Sequence, residues 1–560
     1  MLSTITNKLG DINPQFLREI KGRLKPRNLF IVSGMSLVSQ VLLYFYFQGL
    51  IPTSEYHSRY SYCEYKQYSP KMECLYDSLG NLMINRQLWW LDMFITLSII
   101  ATFTLLVVGT YMVINDLAKE DRKDTLGFIR FSPQTPQTIL TGKILGVPVL
   151  LYLFTLLGLP LHLIAGLNAQ ISFPLILSFY GVLITSCFCC YSGALLFGFV
   201  GKKLLGFQPW LGSGAILFFL FVTTGLTMSN NGITHNPVDW LSLFHPGSVL
   251  PYLVDTTDLL NREVGYYSLD YWSDLKWLGM PLWQNAWTGI GVTVLNYGIW
   301  TYWIWQGLKR CFRSPQAGVI SKVQSYWLTG SLTLTMLGFT TQARGWGNSK
   351  EGMYANFATL FCFSLIYFLG LISALSPHRQ TLIDWARYRH QEDKKERKNL
   401  WQDLLTGEKS PATLAIAVNS LIVSVIALPG ILSTCLGSYQ EPVLLALLFN
   451  FSIIMIYTVT AQLILLTRWR TRAVWSAVAV ISLIILPLVS FAVTGIEPHH
   501  APGLWLFSAI PVIALEHATS CSVLMALLGQ CLAITLGSGV MVRQISKAGE
   551  SEMKALVSAS

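Results

Sequence analysis

Runs of about twenty apolar residues recur along the whole of this chain, separated by polar loops. As a helix, a run of that length crosses the roughly 30 Å hydrocarbon core of a bilayer. Inside the bilayer every backbone N–H and C=O must find its partner within the segment, so long unbroken runs of this kind fold as spanning helices. Charged residues make up only 12% of the chain and the mean hydropathy is +0.48, which excludes a soluble globular protein. The expected fold is therefore an all-α integral membrane protein of about twelve transmembrane helices. Six spans fall at residues 29–50, 89–115, 144–167, 171–200, 210–228 and 287–308. Six more fall at 326–341, 354–375, 412–436, 443–467, 473–494 and 521–542. The first run has no small-residue cleavage site behind it and is expected to remain as a span.

The net charge of +10 does not point to nucleic acid, because the basic residues sort by loop. With the N-terminus inside and the spans alternating, 31 of the 39 Lys and Arg fall on the interior side. That bias orients a multi-span protein. Both termini are expected in the cytoplasm, and the protein in a bacterial-type cytoplasmic (inner) membrane.

Loop order repeats. In each half the largest charged interior loop follows the second span, and an apolar segment broken by proline precedes the sixth. Trp240-Leu241 stands six residues before Pro246, and Trp505-Leu506 six before Pro511. Glu120-Asp121-Arg122 is echoed by Glu392-Asp393-Lys394, and Ser132 to Thr135 by Ser410 to Thr413. These echoes support duplication. The expected layout is an interfacial helix in 1–28 and a first six-span half over 29–310. An interior linker at 311–325 leads to a second six-span half over 326–545 and a tail at 546–560. The interior loops lie at 116–143 and 377–411. The exterior segments at 229–286 and 496–520 are too short in apolar length to cross, so His245, Pro246, Pro511 and Glu516 are placed in re-entrant or interfacial turns.

The loop from Asp116 to Lys143 holds nine charged residues between two apolar runs. An acidic-basic cluster leads into Leu126, Phe128, Ile129 and Phe131, then Ser132-Pro133 breaks the chain, Thr135-Pro136 opens a second helix and Gly142-Lys143 precedes the next span. This reads as a short helix on the membrane surface. It resembles the coupling-helix region of type-2 ATP-binding-cassette (ABC) exporter permeases, whose loop after the second span carries an acidic residue, Thr-Leu, Ser-Pro, a hydroxyl-rich turn and Gly-Lys. Here Glu120 or Asp121, Thr125-Leu126, Ser132-Pro133, Thr135 to Thr138 and Gly142-Lys143 take those places. Ahead of the first span, Asn13-Pro14 and Arg18-Glu19 match the amphipathic elbow helix of the same family. A solvated loop with ordinary helix caps is the plain alternative.

The resemblance implies a permease whose interior loop docks a separate ATPase, with membrane lipids and room for a further permease chain as its other partners. Glu120, Asp121, Arg122, Thr125, Ser132, Pro133 and Lys143 are the expected docking residues. Phe128, Ile129 and Phe131 are expected to bury against the permease. Neither Gly142-Lys143 nor Gly201-Lys202 belongs to a phosphate-cradling loop, so no ATP is expected in this chain, nor any other cofactor or catalytic residue.

Two other classes compete. A proton-coupled carrier of twelve spans needs intramembrane ionisable groups, and only Asp92, Glu516, His162 and His517 come near the membrane. A glycosyl-transfer enzyme would use exterior carboxylates or histidines such as Asp255, Asp258, Glu263, Asp270, Asp274, His499 and His500. No spacing among these suggests metal ligation, and no metal is expected. Cys187, Cys189 and Cys190 share one span and read as packing residues. Cys63 and Cys74 share the first exterior loop, where a disulfide and two buried thiols are equally compatible with the sequence.

Overall fold

A computed structural model describes residues 10–52, 62–64, 75–201, 206–228, 235–255, 257, 259, 275–314, 318–342, 349–391, 400–435 and 439–557. Cys74, Asp258, Glu263, Asp270, Asp274, Glu392, Asp393 and Lys394 lie outside them. The described residues are mainly helical, with one two-stranded pair of two-residue strands and two isolated β-bridges among them. It divides into two compact units. The first holds residues 1–234, 241–275 and 281–313; the second holds 235–240, 276–280 and 314–560.

The first unit opens with α1 (Pro14–Arg23), which Asn13 caps by accepting from the Phe16 N–H, with Pro14 at the first helical position. The long helices are α2 (Pro26–Gln48) and α3 (Arg86–Arg122). Two short ones follow, α4 (Thr125–Arg130) and α5 (Pro136–Gly146), then α6 (Val149–Asn168), α7 (Phe173–Val200) and α8 (Gln208–Met228). Two 3₁₀ turns, Pro237–Phe244 and Pro246–Val249, run into α9 (Leu250–Asp255); α10 (Ala286–Arg313) closes the unit. Midway along α3 the helix widens into a π turn over Thr104–Val108. The cause is Tyr191, whose buried hydroxyl donates to the Leu105 carbonyl at 2.7 Å. A side chain at Gly109 would put its Cβ 2.1 Å from that hydroxyl oxygen, so glycine is what admits the tyrosine.

The second unit holds α11 (Lys322–Thr340), α12 (Ser349–Leu375), α13 (Arg379–Gln391), α14 (Leu400–Thr406), α15 (Thr413–Thr434), α16 (Gln440–Leu466), α17 (Arg472–Thr494), α18 (Pro502–Trp505), a 3₁₀ turn at Pro511–Ala514 and α19 (Ser520–Val557). Ser321 and Gln324 form a reciprocal capping box at the start of α11. The strips 235–240 and 276–280 belong here because Asn356 donates to the His235 carbonyl at 2.8 Å and the Trp277 indole donates to Thr335 at 3.1 Å.

Among the described residues nine helices are long and apolar enough to cross a membrane: α2, α3, α6, α7, α12, α15, α16, α17 and the first 29 residues of α19. Helices α10 and α11 have 28 and 19 residues but fall short in apolar character. In α11, hydroxyl residues such as Thr329, Thr333 and Thr335 lower it; in α10, Asn296 and Gln306 do. Three helix pairings recur in both units, although α8 lies on α3 while α17 lies on α16. In the first, α2 lies on α6, α3 on α7 and α7 on α10. In the second, α11 lies on α15, α12 on α16 and α16 on α19. Whole apolar faces remain uncovered by protein: Ser36 and Phe47 are the buried residues of α2, and Ser476 and Val480 those of α17. Apolar surface of that extent calls for lipid in place of water.

Candidate functional site

The end of the first unit where α1 meets α5 is built around one lysine. Lys143, 1% exposed, reaches Asp116 at 2.8 Å, Glu120 at 2.7 Å and Glu19 at 3.6 Å. Arg23 meets Asp116 at 2.5 Å and Glu19 at 3.1 Å, and Arg18 meets Glu120 at 2.5 Å. Three carboxylates face three cations. Burial alone would lower the Lys143 pKa, yet Asp116, Glu120 and Glu19 together hold it above the ordinary value, so the ammonium stays charged. The carboxylate oxygens of Glu19, Asp116 and Glu120 converge closely enough for a metal ion, and the Lys143 ammonium supplies the positive charge between them.

Local sequence explains the convergence. Asn13 caps α1 with its oxygen, while its nitrogen donates to the Thr138 carbonyl of α5 at 2.9 Å. A Cβ at Gly142 would stand 2.8 Å from the Phe16 nitrogen and 2.7 Å from the Asn13 side-chain oxygen. Glycine at 142 lets α1 lie against α5, and lysine at 143 then reaches the carboxylates of α1 and α3. Thr135 accepts from the Thr138 N–H and Pro136 begins α5, which fixes where that helix starts.

Helix α4 is held from one side. Leu126 and Ile129 are buried, and the Arg130 guanidinium lies 5.7 Å from the rings of both Phe199 and Phe312 and donates to the Cys311 carbonyl at 3.4 Å. On the other side Phe128 is 83% exposed and Phe131 91% exposed. This corrects the expected roles. Glu120 and Lys143 are internal ties, so they are not free to dock a partner, whereas Phe128 and Phe131 project outward. Residues 128 and 129 are neighbours on a six-residue helix, about 100° apart around its axis, so they do not share a face. Arg122, Thr125 and Pro133 are exposed beside the two rings, and Asp121 and Ser132 are half-buried.

The second unit has its own buried lysine at the start of α11. Lys322, 2% exposed, donates to the Leu404 carbonyl at 2.8 Å, Ser410 Oγ at 2.6 Å and the Pro411 carbonyl at 2.9 Å. The Trp385 indole and Arg389 both meet Asp403. Ser410-Pro411 thus anchors α14 to the start of α11.

Within the first unit a groove of about 840 Å³ lies between α2, α3, α6 and α7. Its wall is largely aliphatic, with Leu42, Tyr46, Leu156 and Ile184 exposed at its rim. From Ile144 to His162 it extends roughly 27 Å at the helical rise, close to the thickness of the hydrocarbon core. At the far end His162 is buried with both ring nitrogens engaged, Ser98 Oγ at 2.8 Å and the Tyr180 hydroxyl at 2.7 Å.

The remaining expected residues are placed as follows. His245 is buried in the turn before α9, hydrogen-bonded to Thr224 Oγ1 at 2.9 Å and accepting from the Gly247 N–H at 3.0 Å; Pro246 and Pro511 are buried, and Glu516 is exposed. The segments around both prolines are short turns rather than spanning helices. Asp92 is bonded by the Tyr62 hydroxyl at 2.8 Å. Cys63 is disulfide-bonded, while the other eight described cysteines are free thiols. Glu497, His499 and His500, which no sequence spacing linked, present ligand atoms to one another. Comparison with family models, curated proteins and solved structures finds no match to this chain.

Proposed function

We propose that this chain is the membrane-spanning permease of a type-2 ABC exporter, moving an amphiphile across the cytoplasmic membrane while a separate subunit hydrolyses ATP. The carrying observation is the pair of phenylalanines, 83% and 91% exposed, one on a short helix between the second and third long helices and the other just past its end. Apolar rings left outside a charged loop fit a protein partner better than water. Their helix is fixed to the ends of α7 and α10 through Arg130, and it follows the end of α3, which the Lys143 cluster ties to α1 and α5. A push on the rings would thus be delivered to several helices at once. In this reading α8, α10 and α11 join the nine strongly apolar helices, giving twelve spans in two halves with both termini inside. The groove gives the reading its substrate class, since long apolar walls suit an acyl chain or similar amphiphile.

The test is a contrast between two variants. Burying a phenylalanine is worth about 1.5–3 kcal/mol, so Phe128→Ser with Phe131→Ser should release the ATPase from purified complexes. Reversing Asp121 and Arg122 touches half-buried or exposed charges, each pair worth about 0.2–1 kcal/mol, and should weaken association far less. Equal retention of the ATPase by the phenylalanine variant and the native chain would sink the proposal.

A further inference from the structure

The turn that joins α17 to α18 carries a feature outside the permease reading. Its sequence is Gly495-Ile-Glu-Pro-His-His-Ala-Pro502. Glu497 Oε2 lies 3.0 Å from His499 Nε2 and 3.7 Å from His500 Nδ1, and the three ligand atoms all fall within 4.8 Å of one another. Zinc holds nitrogen and carboxylate oxygen at about 2.0–2.1 Å, which sets tetrahedral ligand-to-ligand edges of roughly 3.3–3.4 Å. The two observed separations bracket that edge. Two imidazole nitrogens and one carboxylate oxygen are also the donor types that suit a first-row transition ion rather than calcium or magnesium.

The turn is ordered before any ligand arrives. Gly495 takes the left-handed conformation that ends α17, at φ 69°. The Glu497 carbonyl accepts from the N–H groups of His500 at 3.1 Å and Ala501 at 3.2 Å, and the Trp505 indole donates to Ile496 at 3.1 Å. Pro498 and Pro502 restrict the backbone on either side of the two histidines. A site assembled this way loses little chain entropy on binding. Both rings approach the same carboxylate oxygen, an arrangement that a single cation among the three atoms satisfies. His517, exposed and 6.2 Å ring to ring from His499, lies just outside the three converging atoms, and a turn of its side chain would bring it to the ion as a fourth donor.

We propose that Glu497, His499 and His500 form a transition-metal site of the zinc type, with His517 as its fourth ligand, on the face that the basic-residue bias places outside. Because His517 follows the buried turn at Pro511 and precedes α19, a bound ion would tie the α17–α18 turn to the start of the last helix. The full chain, purified in nanodiscs through a tag without histidines and stripped with chelator, is titrated with Zn²⁺ by calorimetry and with Co²⁺ by visible absorption. One ion per chain is expected, with the intense Co²⁺ bands of four-coordinate geometry. His499→Ala and His500→Ala should each weaken binding at least tenfold, roughly the loss seen even for outer-shell changes. His517→Ala should alter the Co²⁺ spectrum. The three proposed primary side chains are more than half exposed, so these variants leave the core untouched, and an unchanged elution profile checks this. Absence of stoichiometric binding at micromolar metal, or binding kept by the His499→Ala/His500→Ala double variant, overturns the proposal.

Discussion

Replacing Lys143 by methionine keeps the length of the side chain and removes its charge from the centre of the cluster that joins α1, α3 and α5. The native arrangement balances Glu19, Asp116 and Glu120 against Arg18, Arg23 and Lys143. Without Lys143 one carboxylate is left uncompensated, with Glu19 only 8% exposed. Breaking a buried ion pair from one side costs about 3–5 kcal/mol, and each 1.36 kcal/mol is tenfold in an equilibrium. Opening of α1 away from α5 should become roughly one hundred to several thousand times more frequent. Hydrogen exchange of the α1 amides in the nanodisc-embedded chain reads this directly. Arg18→Ala is the control, because its side chain is 52% exposed and such a pair is worth about 0.2–1 kcal/mol, about fivefold at most. Asp116→Asn added to Lys143→Met restores the balance, two against two, and should recover much of the protection. Exchange in α1 that is the same for Lys143→Met as for Arg18→Ala would refute the reasoning, as would a double variant no better than the single.

Other outcomes follow from the same structure. Burial pushes the Lys322 ammonium down to about 8, with Asp403 acting the other way. Between about 8 and the ordinary value of 10.5, the unfolded chain binds more protons, so stability rises with pH there. Thermal unfolding should therefore shift upward between pH 8 and 10 in the native chain and lose that shift in Lys322→Met. The Lys143 pKa is raised instead, so its contribution is complete below 10.5 and is lost only as pH climbs above that. Gly158 lines the groove with nothing within 4 Å of an added Cβ; Gly158→Phe should block transport while ATPase binding is kept, and normal transport would place the route elsewhere. Reporter fusions at Asn261 and Lys394 should score outside and inside, and the reverse pattern would refute the orientation.

Much of the architecture was legible because membrane spans announce themselves by length and composition, and helix starts by their caps. Asn13-Pro14, Ser321 with Gln324, and Thr135-Pro136 each open a helix where the residues ask for one. The site was only partly legible. Gly142-Lys143 stands out in the sequence, but its role depends on Asp116 and Glu19, 27 and 124 residues away along the chain. Phe128 and Phe131 look like core residues in an apolar stretch, and a helix of six residues is too short for periodicity to say which side faces inward. The histidine turn was missed for a related reason. Glu497-x-His499-His500 matches no helical or strand spacing, and its convergence comes from a turn fixed by Gly495 and two prolines.

In the proposed function, ATP hydrolysis on another subunit drives this chain through α4. Its most direct test is transport of a fluorescent amphiphile by proteoliposomes holding this chain together with the ATPase that co-purifies with it from its native membrane. Transport that requires ATP, persists when the proton gradient is collapsed, and is lost in the Phe128→Ser/Phe131→Ser variant is the predicted result. Transport by this chain alone, driven by a proton gradient without ATP, would contradict it.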